Sequence, residues 1–138
     1  MTPDEARARF AAEPVARLAT VDASGAPHIV PITFAVEGGR ILSAVDGKPK
    51  RSRRLRRLEN IAANPLVSLL VDHYHDDWKR LWWVRADGTA RIVEGGPELE
   101  QGLELLRRRY AEYRQVELIG PVIVVVVERW TGWEAAAG

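Results

Sequence analysis

The sequence has no cysteine, which excludes disulfides, thiolate metal centres and cysteine nucleophiles. Neither sign of charge dominates. With 20 basic and 19 acidic residues the net charge is only +1, so any electrostatic recognition must be local. No long hydrophobic run is present: the longest, residues 122–127, is far too short to cross a bilayer. The opening Thr2-Pro3-Asp4-Glu5 has neither the basic nor the apolar region of a secretory leader, so a cytoplasmic protein without membrane contact is expected. Also missing are a Walker loop, a GxGxxG turn and a Ser/His/Asp set at a recognisable elbow. No catalytic side chain is therefore assigned.

What is present suits one domain spanning residues 1–138, long enough to bury a core. Thr2 as N-cap, Pro3 at the first helical position and Glu5 at the third predict a helix to about residue 12, burying Ala6 and Phe10. Strand patterns follow at 15–21, 27–36 and 41–45, separated by Asp22-Ala23-Ser24-Gly25 and Gly38-Gly39 turns. In 27–36, Val30, Ile32, Phe34 and Val36 share a face with His28 in line. Residues 50–63 read as a helix with Leu55, Leu58, Ile61 and Ala62 as its stripe. Strands are expected at 66–72, in a central position, and at 82–93. The helix at 97–114 carries Leu99, Leu103, Leu106, Tyr110 and Tyr113, with Glu98 at its start and Arg107, Arg108 and Arg109 near its end, as the dipole favours. The last strand, 122–133, should bury its valines on both faces. Six hairpin-linked strands with helices at only a few junctions predict a mainly β (α+β) antiparallel barrel; a parallel α/β sheet would need a helix after nearly every strand.

Three segments in order carry a resemblance: ARLATVDASGAPHIVPITFAVEGGRI, RLRRLENIAANPLVSLLVD and WWVRADGTARIV. Across residues 10–133 they resemble the pyridoxamine-phosphate-oxidase-like superfamily. The likeness is greatest to its short single-domain members that use a deazaflavin, coenzyme F420. True pyridoxamine-phosphate oxidases carry an Arg- and His-rich C-terminal segment that this chain lacks. The resemblance implies a six-stranded antiparallel split β-barrel with peripheral helices. It also implies a homodimer with cofactor between the chains, and an oxidoreductase passing hydride between the reduced deazaflavin and a small organic substrate. FMN is the alternative cofactor, and a non-catalytic carrier of the coenzyme is a rival function.

Lys48, Lys50, Arg51, Arg53, Arg54, Arg56 and Arg57 are the densest local charge. Alone, such a run reads as a solvated helix face. In the family, basic residues at this strand–helix junction hold the cofactor phosphate, which implies Lys50, Arg51 and Arg54 as ligands, Arg57 next, and Ser52 as a hydroxyl donor. The surplus of arginine fits the anionic tail of the deazaflavin coenzyme better than a single phosphate. The resemblance also lays the ring along His28, Val30, Pro31, Ile32 and Thr33, where Pro31 removes a ladder donor, a loss tolerated at an edge or beside a ligand. Small Ser43 and Ala44 would let a flat ring approach, and Trp78 would cover it. His73, His75, Asp76 and Asp77 have ligand chemistry but no third partner elsewhere, so no metal is expected. One short basic run in a neutral chain is thin support for nucleic-acid binding, and none is expected.

Overall fold

The computed structural model describes residues 1–45 and 55–136. Helix α1, Pro3–Ala12, starts as its sequence requires: the Thr2 hydroxyl accepts the Glu5 N–H at 3.2 Å and the Glu5 carboxylate accepts the Thr2 N–H at 3.1 Å. Seven strands follow: β1 Ala16–Val21, β2 Pro27–Ile32, β3 Ala35–Glu37, β4 Arg40–Ala44, β5 Leu66–His73, β6 Trp82–Val93 and β7 Val122–Glu134. Helix α2, Arg56–Ala63, precedes β5, and α3, Gly96–Arg109, precedes β7. The ladder runs β2-β1-β5-β6-β7-β4-β3, every pair antiparallel, and β5 lies between β1 and β6. No described helix is long and apolar enough to cross a membrane.

The strand count departs from the expected six because the 27–36 run breaks at Thr33-Phe34. Its first part pairs with β1 and its second with β4, so β2 and β3 lie at opposite ends of the ladder. Three Cα–Cα steps join Ile32 to Ala35 and reach at most roughly 11 Å. The two edges are thus held together, and the sheet must roll into a barrel. Among the described residues, ladder hydrogen bonds do not close it, and a seam remains between β2 and β3.

Two cores result. Phe10, Leu18, Phe34, Ile41, Leu69, Val84, Ile123 and Val125 fill the barrel. Leu42, Ala44, Val93, Val122 and Val124 on its outer wall pack against Leu99, Leu103 and Leu106 of α3. Only Val122–Val125 are therefore buried on both faces; Val126 is exposed and Val127 half-buried, short of the expected run to 127. At the bulge, Asp87 pairs with Arg129 and Gly88 with Val127, leaving Glu128 as an extra residue. This reverses the side-chain parity of β7, so Trp130 turns inward onto Phe10 at 5.3 Å and Trp133 turns out. Only glycine fits at 88, where a Cβ would lie 2.2 Å from the Val126 carbonyl oxygen. The helix expected over 97–114 ends at Arg109, and Ala111–Arg114 form a separate 3-10 turn. Within the described residues, the helix expected from residue 50 begins at Arg56.

Candidate functional site

The seam begins at the β1–β2 hairpin, where the Asp22 N–H donates to the Ala26 carbonyl at 3.0 Å. Antiparallel rungs recur every second residue, so Thr20–His28, Leu18–Val30 and Ala16–Ile32 are the pairs that exchange ladder bonds. Pro27, Ile29 and Pro31 consequently turn their backbone polar groups away from β1, toward an edge that no other described strand pairs, the free edge. Proline has no N–H. This edge therefore presents three carbonyl acceptors, at 27, 29 and 31, and a single donor, the Ile29 N–H.

The next rung would join Phe34 to Pro14, which again lacks a donor. The Tyr110 hydroxyl occupies that position. It accepts the Phe34 N–H at 3.0 Å and stands 2.9 Å from the carbonyls of both Phe34 and Pro14, to one of which it can donate. Burial pushes the Tyr110 phenol above its ordinary pKa, against weaker lowering by the Phe34 backbone and the Arg109 charge. Beside it, the Tyr113 and Thr33 hydroxyls meet at 2.5 Å, and Ser43 Oγ donates to the Thr33 carbonyl at 2.8 Å. Arg109 stacks over Phe34 and Tyr110 and donates to the Glu13 carbonyl. Here β2 leaves β1, and its continuation crosses to β4.

Among the described residues, no helix covers the outer wall between β2 and β6. Three cross-strand rows line it: Ile29–Ala19–Ser68–Asp87–Arg129, Pro31–Arg17–Leu70–Arg85–Thr131, and Asp72–Trp83–Trp133. A groove of about 400 Å³ lies here, with Ile29, Leu70 and Trp83 as apolar lining and Arg17 and Arg85 as cations. Asp87 receives Ser68 Oγ at 2.6 Å and Arg85 Nε at 3.0 Å, with Arg129 at 3.5 Å. Desolvation pushes its carboxyl up, but these hydrogen bonds and charges prevail and hold it below the usual carboxylate value.

The family model of pyridoxamine 5'-phosphate oxidase matches residues 2–134. The chain belongs to the pyridoxamine 5'-phosphate oxidase family. A 5a,11a-dehydrotetracycline/5a,11a-dehydrooxytetracycline reductase of Streptomyces rimosus is 42% identical over 57 residues, 41% of this chain and 38% of that protein, so the match spans well under half the relative's length. The fold is shared with a FAD-binding protein of Mesorhizobium loti (TM-score 0.79, 19% identity, 99% of this chain and 96% of that one). It is shared too with a heme storage protein of Vibrio cholerae (TM-score 0.70, 19% identity, 98% and 93%).

Within this oxidase-family fold the residues singled out in the sequence fall into separate groups. His28, Val30 and Ile32 point into the barrel, and their ladder bonds go to β1. Pro31 is exposed and lies on the free edge. Thr33 sits at the break, with its carbonyl held by Ser43; Ser43 is buried and so does not offer its hydroxyl outward. Ala44 is buried under α3. Arg57 lies half-buried in the first turn of α2 and is engaged within the fold, while Asn60 on the same stripe donates to Thr20 Oγ1 at 2.9 Å. Lys50, Arg51, Ser52 and Arg54 lie outside the described residues. Trp78 is exposed beyond the far end of β5, whereas His28 and α2 lie at its near end, a separation of roughly 20 Å along the strand. His75 Nδ1 accepts the Asp77 N–H at 2.9 Å, and no cluster of three potential metal ligands occurs among the described residues.

Ile29, Tyr110 and Tyr113 were not among the sequence-derived candidates. The signal for Ile29 was present as two prolines four residues apart in one strand, which fix the direction of the backbone between them.

Proposed function

We propose that the chain is an oxidoreductase that lays a flavin-type ring along the free edge of β2. The supporting observation is the edge itself. The pyrimidine end of a flavin or deazaflavin alternates acceptor, donor and acceptor. The Ile29 N–H can donate to one ring carbonyl and the adjacent Ile29 carbonyl can accept the ring N–H, which matches two of these three groups on one strand. Family membership and the partial likeness to a reductase support the redox class. When bound, such a ring supplies the hydride chemistry; the chain orients it and excludes water. Of the two cofactors, coenzyme F420 is favoured over FMN by the seven cations between 48 and 57, of which Lys50, Arg51 and Arg54 would hold its phosphate.

The active form is a homodimer joined through the uncovered wall. Ile29, Leu66 and Trp133 are each exposed there, and the free edge of β2 borders the same wall, so a second copy would close the ring site. The substrate is a small conjugated molecule able to accept hydride.

Titration with FMN and coenzyme F420 side by side, followed by absorbance and fluorescence, tests the assignment. Binding of the deazaflavin in preference to FMN is expected, and Ile29→Pro should abolish it by removing the one donor. Retained affinity in Ile29→Pro would place the ring elsewhere.

A further inference from the structure

The Tyr110 hydroxyl occupies a position that regular strand pairing would leave to backbone alone. In an unbroken ladder a direct bond of about 2.9 Å would join Phe34 to residue 14. Here an oxygen is interposed, 3.0 Å from the Phe34 nitrogen and 2.9 Å from the Pro14 carbonyl. The Tyr110 oxygen therefore bridges the two segments at this rung in place of a direct backbone bond. The bridge coincides with the point where the chain turns to β4. Just beyond it, Tyr113 holds the Thr33 hydroxyl and Ser43 takes the Thr33 carbonyl.

We propose that Tyr110, with Tyr113 in support, is a positioning residue that sets the opening of the β2 seam and so the placement of a ring bound along it. This deepens, and rests on, the flavin-type reading above. The two tyrosines act at a distance from the ring, through the Thr33-Phe34 link. They fix where the edge of β2 ends, and they prevent residues 33 and 34 from zipping onto β1. A purely structural tyrosine would contribute stability without altering the site. A positioning tyrosine must do both.

A rescue separates the two roles. Tyr110→Phe removes the interposed oxygen. Adding Pro14→Ala supplies an N–H that can donate to the Phe34 carbonyl while the Phe34 N–H donates in return to the residue 14 carbonyl, so an ordinary two-bond rung can form and the strands can close. Wild type, Tyr110→Phe, Tyr113→Phe and the Pro14→Ala/Tyr110→Phe double variant are compared by urea unfolding and by exchange of the Phe34 amide. Affinity for FMN and coenzyme F420, and the reduction potential of the bound ring, complete the set. Tyr110→Phe is expected to lose Phe34 amide protection, to weaken cofactor binding about tenfold and to shift the potential. The double variant should regain the urea midpoint and the amide protection but neither the affinity nor the potential. Tyr113→Phe keeps the rung, so it should move affinity with Phe34 exchange unchanged; this arm stands even if Tyr110→Phe does not fold. Full recovery of affinity in the double variant overturns the proposal, as does unchanged affinity and potential in both single variants. If the wild type binds neither cofactor, the flavin-type reading falls as well.

Discussion

β6 and β7 run through two differently finished parts of the same wall. Where α3 covers them, the outward residues are Val93, Val122 and Val124, which meet Leu99, Leu103 and Leu106 without a charge between them. Past the bulge the outward residues of the same strands are Trp83, Arg85, Asp87, Arg129, Thr131 and Trp133. Here aromatic and aliphatic groups alternate with ion pairs, including Arg17–Asp72 at 3.6 Å. The covered part is complete within one chain and would be insoluble if bared. The open part pairs its charges across the strands, so it tolerates water as a single copy, yet it also exposes Ile29, Leu66 and Trp133. The face covered by a helix and the face left open by the described residues thus carry different residue signatures on one sheet.

Cutting into the covered half should have the largest effect. Leu103→Ala is expected to cost about 2–5 kcal/mol in urea unfolding, whereas Leu66→Ala, exposed on the open half, should stay within about 0.5 kcal/mol. Equal losses would dissolve the distinction. At the boundary, Gly88→Ala should cost about 1–3 kcal/mol, because the new methyl group meets backbone rather than a side chain that can move. On the open half Trp133→Ala should leave unfolding of the single chain nearly unchanged but weaken self-association by roughly 2 kcal/mol, about thirtyfold, in sedimentation equilibrium. A wild type that stays monomeric at micromolar concentration would show that nothing covers this wall.

The smallest effect is electrostatic. The folded chain holds Asp87 below its ordinary value of 3.8, so the folded state binds that proton less readily than the unfolded one. Its contribution is present above pH 3.8 and is lost as the pH falls through the lower, folded value. Asp87→Asn should flatten this acid limb, measured as the difference in urea midpoint between pH 5 and pH 3. An equally steep limb in the variant would assign the acid sensitivity to other carboxylates.

The sequence was most informative where structure is decided locally. The capping box at Thr2 and Glu5 forms as read, and β6 has the expected bounds, because each depends on neighbours in the chain. The break at Thr33 was not legible. Hydrophobic alternation runs on unbroken through Phe34 and Val36, and the group that splits the strand comes from Tyr110, 76 residues away in sequence. The bulge at Glu128 is hidden for a similar reason: its extra residue is visible only against the partner strand. For the site, the family resemblance pointed to the whole of the second strand, whose Val30 and Ile32 side chains face the barrel, whereas the free edge is made of the backbone at 27, 29 and 31. Side-chain patterns say little about which way a carbonyl points unless a proline reveals it.

The ladder order has a consequence for how the chain is made. β7 follows the other described strands in the chain, yet it sits between β6 and β4, so among these strands the β3–β4 hairpin has no partner to pair with until residues 122–134 leave the ribosome. At ordinary translation speeds that wait lasts roughly 4–16 s. Throughout it, the edge of β4 that will take β7, Arg40–Ala44, stays unpaired. A nascent chain arrested before residue 122 should therefore be a chaperone substrate, and the same chain released after residue 134 should not.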